Sequence, residues 1–312
     1  MDQTTYGFRN YLLPTGDCQA VVDLDIINAW HPESIPYSCF LFADELCESR
    51  LPLYVPRRFR VGILKESPNH IKKINTAYLR RHFPLVLSHL RSHIELGPPF
   101  RLLPYSSNFL GVRPFCQTPR LPSVGRKQKL CSFVGNLNHD VSFPGYRLRR
   151  DVYHVVQGDL RVSCYGRSLR PVEAKIEALE PFAFSIAMEN SREDFYFTEK
   201  LIDCILAGTI PLYWGCPSIA KFFDPCGILS FSCISELRKL IDQLSIEEYR
   251  RLRPYVELNF HRALSERVAD FHGYLHRASK DILSLDLAND ECTHLLQYRP
   301  SDKLAARLRK WI

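Results

Sequence analysis

The sequence predicts an α/β protein built on parallel sheets, and three observations carry that reading. Runs such as "RVGIL" (60–64), "FAFSIAM" (182–188) and "TIPLYW" (209–214) have strand length and are apolar save for one residue each, as strands covered on both faces are. Helix-like stretches lie between them, so strand and helix alternate as in βαβ units. Several strand ends run into polar residues, at Glu66, at Gly135-Asn136 and at Glu189-Asn190. In open α/β sheets, ligands bind outside the carboxyl ends of the strands.

Taken in order, "VVDLDII" (21–27) reads as a strand, and "RVGIL" as a short buried strand running into Lys65-Glu66-Ser67-Pro68. "HIKKINTAYLRRHF" (70–83) carries helix-like spacing at Ile71, Ile74, Tyr78 and Phe83, and "PLVLSHL" follows as another apolar element. Residues 95–129 are rich in Pro, Gly, Ser and basic side chains, which places a domain boundary near residue 123. Beyond it come a strand (130–135), a helix (146–156) and two strands (161–166, 182–188). A helix (199–207) is then stopped by Gly208, and the next strand by Gly215. "PSIAKFF" and "GILSF" repeat the alternation, and from about residue 234 the pattern is mostly helical. The expected organisation is 1–123, 124–296 and a basic helical tail, 297–312.

Composition narrows the function classes. The 312 residues can bury a large core, and 46% hydrophobic with 24% charged residues is ordinary for a globular chain. No apolar run reaches membrane-spanning length, and the opening residues lack a secretory pattern, so the expected localisation is cytoplasmic. The eleven cysteines are scattered, without metal-ligand spacing, and read as reduced thiols; no metal site is expected. A net charge of +7 favours an anionic partner. The basic groups are short and dispersed ("PRRFR", "LRRHF", "RLRR", "RLRK") and form no dense stripe, which argues against nucleic acid and fits a nucleotide diphosphate.

The stretch from Phe184 to Gly215 holds the chemistry. Thr198 is placed to cap a helix whose first turn offers free N–H groups, and Lys200 adds a full positive charge, an end suited to a phosphate. Asn190 and Ser191 supply neutral donors and acceptors for a sugar hydroxyl. Glu189 or Glu199 could accept from ribose hydroxyls. By itself a strand, a turn and a capped helix are common and specify no ligand.

The full string specifies more. "MENSREDFYFTEKLIDCILAGTIPLYWGCPSIAKFF" resembles the signature of the fucosyltransferases of glycosyltransferase family 10. Glu189-Asn190-Ser191, Tyr196-Phe197-Thr198-Glu199-Lys200 and Ile210-Pro211-Leu212-Tyr213-Trp214-Gly215-Cys216-Pro217-Ser218 match its three parts. Phe197 and Met188 depart from the usual residues but stay apolar. "LKESPNH" (64–70) resembles a segment whose glutamate is the family's proposed catalytic base, which carries that role to Glu66. "CSFVGNLNHDVSFPGYRLRRDVY" resembles the segment supplying a diphosphate-binding arginine; Arg149 is the best match, with Arg147 and Arg150 as alternatives.

The resemblance implies a GT-B fold, two Rossmann-like domains facing across a cleft, with the donor held mainly by the second. It implies inverting, metal-independent transfer of L-fucose from GDP-β-L-fucose to a hydroxyl of an oligosaccharide or glycolipid acceptor, with no cofactor. Glu66 would be the base, and Arg149 and Lys200 would stabilise the diphosphate. Asn190, Tyr196 and Glu199 would hold ribose, phosphates or fucose. Transfer of another GDP-sugar, and sugar-nucleotide binding without catalysis, are the alternatives. Asp23-Leu24-Asp25 resembles a metal-binding D-x-D, but it lies in an apolar strand pattern far from the donor motif. "SDKLAARLRKWI" (301–312) reads either as a helix packed on the fold or as a weak peripheral contact with anionic lipid.

Overall fold

A computed structural model describes residues 40–49, 51–54, 57–110, 120–138, 143–166, 168–269 and 271–285. The strand expected at 21–27, the D-x-D within it and the C-terminal tail lie outside the described residues. Elements are numbered over the described residues. The chain divides into two compact units: one runs to Pro104 and resumes at Leu275, and the other is Tyr105–Tyr274.

The first unit holds a four-stranded sheet in the order β1 (Phe40–Ala43), β2 (Arg60–Leu64), β3 (Leu85–Ser88) and β4 (Phe100–Leu102), each pair parallel. All five residues of β2 are buried, the reason its sequence is an unbroken apolar run after Arg60. The helix expected over 70–83 is two: α1 (Pro68–Ile71) and α2 (Thr76–His82). Asn75 makes the break, because its side chain accepts from the Tyr78 amide and caps α2. A further helix, α3 (Arg91–Ile94), precedes β4.

The second unit carries five parallel strands, β5 (Lys129–Val134), β6 (Val162–Tyr165), β7 (Phe182–Met188), β8 (Ile210–Trp214) and β9 (Leu229–Ser230), in the order β6-β5-β7-β8-β9. Helix α4 (Pro144–Val156) joins β5 to β6, and α5 (Glu199–Leu206) joins β7 to β8. Two more helices, α6 (Ile234–Asp242) and α7 (Ile246–Ser265), follow β9; α8 (Phe271–Leu283) begins in this unit and from Leu275 belongs to the first.

Both faces of the sheet are covered. Phe184, Ile186, Leu212 and Trp214 pack with Val152 of α4, Leu237 of α6 and Leu252 of α7. Tyr213 and Ala187 point the other way, into a cluster with Ile202 and Ile205 of α5 and Phe260 of α7. Period-two alternation thus decides which face each side chain serves. Pro211 is tolerated in β8 because β9 is only two residues long and pairs with Leu212 and Tyr213. "PSIAKFF" forms one 3-10 turn, Ile219–Lys221, in place of a full helix. Among the described residues no helix is long and apolar enough to cross a membrane, and the described cysteines are free thiols.

Candidate functional site

The strand order of the second unit fixes where a ligand fits. From β5 the chain steps outward to β6, then crosses back over β5 to β7, so the order reverses between β5 and β7. Connections leave these two strands in opposite directions and open a crevice at their carboxyl ends. β5 ends at Val134, before Gly135-Asn136, and β7 ends at Met188, before Glu189-Asn190.

Arg149 reaches this point from α4. Its side chain is buried, 5% exposed, and Nη2 donates to Met188 O (2.9 Å) and Asn190 Oδ1 (2.8 Å). The guanidinium lies 5.3 Å from the Tyr146 ring. Burial lowers its pKa, with Tyr146 and Glu189 opposing, yet an arginine stays charged at neutral pH. Gly145 lets the start of α4 approach this closely: a Cβ there would lie 2.2 Å from Asn190 O. Arg150, next along, donates to Leu137 O (3.1 Å) in the segment after β5, and Arg147 is exposed. The three arginines left open by sequence spacing thus differ in setting, and Arg149 is the one buried against the end of β7.

Glu189 ties the two ends of the motif loop together. Its side chain is 0% exposed. Oε1 accepts from the Thr198 amide at 2.9 Å and Oε2 from the Thr198 hydroxyl at 2.6 Å. Tyr213 Oη lies 3.4 Å from Oε1 and accepts from the Cys216 amide at 3.0 Å. Gly215 makes room for this clamp, since a Cβ there would lie 2.2 Å from Tyr213 Oη and 2.6 Å from Glu189 Cγ. Both Glu189 oxygens are therefore engaged within the protein, where the sequence suggested a ribose acceptor. Burial raises its pKa above the usual glutamate range, against the pull of Lys200.

Thr198 caps α5 as expected, accepting from the Lys200 amide at 3.3 Å. Lys200 Nζ lies 3.0 Å from Glu199 Oε1, 3.1 Å from Thr198 Oγ1 and 3.7 Å from Glu189 Oε2. Its side chain remains 23% exposed at the helix start. Burial acts to raise the Glu199 carboxyl, but Lys200 and Lys175 outweigh it and hold it at about 2. Ser191 and Tyr196 are buried, and Asn190 is half-buried.

Two supports escaped the sequence reading. Asp203, buried in α5, accepts from Lys175 Nζ (2.6 Å) and from the Phe109 amide (2.8 Å). Its sequence signal was an aspartate inside the apolar run "KLIDCIL", which needs a partner when buried. Tyr213, the second, stood in the apolar run of β8 and in the matched motif with no role of its own.

In the first unit, Glu66 stands two residues past the end of β2 and is half-buried. Its amide and that of Lys65 both donate to Asp44 Oδ1, each at 2.9 Å. The donor-side candidates thus gather in the second unit around the ends of β5 and β7, and Glu66 belongs to the first.

Residues 124–263 match the sequence model of glycosyltransferase family 10 (fucosyltransferase), C-terminal part. An alpha-(1,3)-fucosyltransferase FucT of Helicobacter pylori is 29% identical over 126 residues, 39% of this chain and 26% of that protein. A putative fucosyltransferase-like protein of Arabidopsis thaliana is 34% identical over 71 residues, 22% of this chain and 14% of that protein. The chain therefore matches well under two thirds of the length of either relative. Anabaena HepE, solved in complex with UDP, is similar in structure with a TM-score of 0.52 at 11% identity, covering 84% of this chain and 82% of that one. At that identity the likeness speaks to fold alone. It agrees with the two parallel α/β units and bears out the GT-B class.

Proposed function

We propose that this chain, whose residues 124–263 match the sequence model of glycosyltransferase family 10, transfers L-fucose from GDP-β-L-fucose to a hydroxyl of an acceptor glycan. One observation carries the reading: Arg149, Asn190 and the Thr198-Glu199-Lys200 helix start converge on the switch point of the second sheet. That is where an open α/β sheet takes a nucleotide.

The chemistry asks for what these residues offer. The acceptor oxygen attacks the anomeric carbon of fucose as the bond to the GDP oxygen breaks, and GDP departs with the bonding electrons. Attack from the opposite face inverts β to α. Glu66 takes the acceptor proton. Lys200 and the first-turn amides of α5 meet the charge growing on the diphosphate, and Arg149 adds its own from beside Asn190. Fixed donors of this kind need little reorganisation during the reaction. Glu199, held ionised, suits a ribose hydroxyl. Glu189 acts one step back, holding Thr198 and so the start of α5. Tyr196, Ser191 and Arg150 shape the same loop region, and no metal enters the proposed steps. An α-1,3 linkage follows the named activity of the Helicobacter pylori relative.

The test is transfer of labelled fucose from GDP-fucose to a panel of oligosaccharides and glycolipids, with Glu66→Gln alongside. Wild-type transfer lowered about 10²–10⁴-fold in Glu66→Gln supports the reading, the range expected when a general base is removed. Transfer of another sugar from its GDP donor, or GDP binding without turnover, would favour the alternatives and remove fucosyl transfer.

A further inference from the structure

We propose that Asp44 is the positioning residue that aims Glu66, an inference that rests on the reading of Glu66 as the base. The argument begins with register. β1 and β2 run parallel with Ala43 level with Ile63, so the residue after β1 sits beside the last residue of β2, just short of Lys65 and Glu66. Strand pairing ends there, and the two amides need another acceptor. Asp44 Oδ1 takes both, each at 2.9 Å.

Asp44 is itself held for this task. It is 4% exposed and adopts φ +46°, a left-handed conformation that aspartate tolerates better than most residues. A tight 3-10 turn, Asp44–Glu48, begins at it, and the Cys47 thiol lies 3.1 Å from Phe42 O, pinning the turn against β1. On the far side of Glu66, Ser67 O accepts from the His70 (2.8 Å) and Ile71 (3.2 Å) amides at the start of α1. The Glu66 backbone is thus fixed by β2 before it, α1 after it and Asp44 beside it. Its side chain, half-buried, is left to the reaction.

Three variants and one exchange measurement test this. In Asp44→Ala, kcat for fucose transfer falls about 10²-fold, the loss expected when a reacting group shifts by about 1 Å, while KM for GDP-fucose stays within about twofold of wild type. Asp44→Asn keeps the acceptor oxygen and the tolerance for positive φ, and recovers most of the rate. Asp44→Glu keeps the charge but moves the oxygen, and stays impaired. Should Asp44→Ala fail to fold, the contrast between Asn and Glu decides. A kcat in Asp44→Ala close to wild type, or Asn and Glu variants of equal activity, would overturn the proposal. Independently of turnover, the Lys65 and Glu66 amides of the wild type exchange slowly with deuterium; rapid exchange overturns the contact itself. A wild type inert towards GDP-fucose, or an active Glu66→Gln, refutes the functional reading, and the exchange result then still judges Asp44.

Discussion

Replacing Glu189 by alanine tests whether the loop between β7 and α5 is held from within the sheet. The change strips the acceptor from the Thr198 amide and hydroxyl and removes the carboxylate beside Tyr213 Oη and Lys200. Each buried donor left unsatisfied costs about 1–3 kcal/mol, and breaking a buried charged arrangement costs about 3–5 kcal/mol in all. For a unit the size of Tyr105–Tyr274, each kcal/mol lowers Tm by about 2–4 °C, so the variant should melt about 6–20 °C below wild type. Glu189→Gln keeps the shape and one acceptor oxygen and should lose about 1–2 kcal/mol. Differential scanning calorimetry reads the stability and titration with GDP reads the site, where Glu189→Ala should bind at least about tenfold more weakly, or about 1.4 kcal/mol. An alanine variant melting within about 2 °C of wild type, with GDP affinity intact, would refute the clamp.

Gly215→Ala should disturb the same clamp by overpacking, because its Cβ has no room beside Tyr213 Oη; a loss of about 1–3 kcal/mol is expected in chemical denaturation, and an unchanged midpoint contradicts it. Asp44 gives a pH signature. Burial, opposed by Lys65, raises its carboxyl from 3.8 to about 7. A raised carboxyl stabilises the fold below its ordinary value, and that contribution is lost as pH rises towards about 7, by about 4 kcal/mol at most. Asp44→Asn should therefore show a flatter stability profile between about pH 4 and pH 7, and a profile parallel to wild type counts against it. Glu199 runs the other way: held at about 2, it stabilises above its ordinary value, and that contribution is lost as pH falls towards about 2. Glu199→Gln should thus lose stability at pH 7 and lose none at pH 2; equal losses at both are the contrary result. Excess chelator should leave fucose transfer largely intact, since cationic side chains meet the diphosphate in the proposed steps; abolished activity restored by a divalent ion would refute that.

Much of the second unit was legible in the sequence because its strands are buried on both faces. "FAFSIAM" and "IPLYW" have no solvent face to interrupt them, and β7 and β8 fall on these runs. The first unit was harder. The spacing over 70–83 fits one helix, and what breaks it is a single side chain, Asn75, turning back on the Tyr78 amide. β1 passed unread, since "FLFA" is too short to show a period.

The candidate site residues could be picked out in the sequence, but not the contacts each one makes. Thr198 was readable as a cap because capping is local. Glu189 gave no sign that its oxygens were engaged, since Thr198 lies nine residues on and meets it only when α5 packs behind β7. Asp44 depends on which strands neighbour each other and in what register, which no local pattern records. Lys175 and Asp203 were hidden for the same reason, 28 residues apart and joined only in the fold.

The most direct measurement is calorimetric titration of the protein with GDP, UDP and CDP, repeated on Lys200→Ala. It needs no acceptor and isolates the donor site. The account predicts selective binding of GDP, weakened about tenfold or more in Lys200→Ala, equivalent to about 1.4 kcal/mol. Preference for UDP, or no nucleotide binding, would leave the fold standing and contradict fucosyl transfer from GDP-fucose.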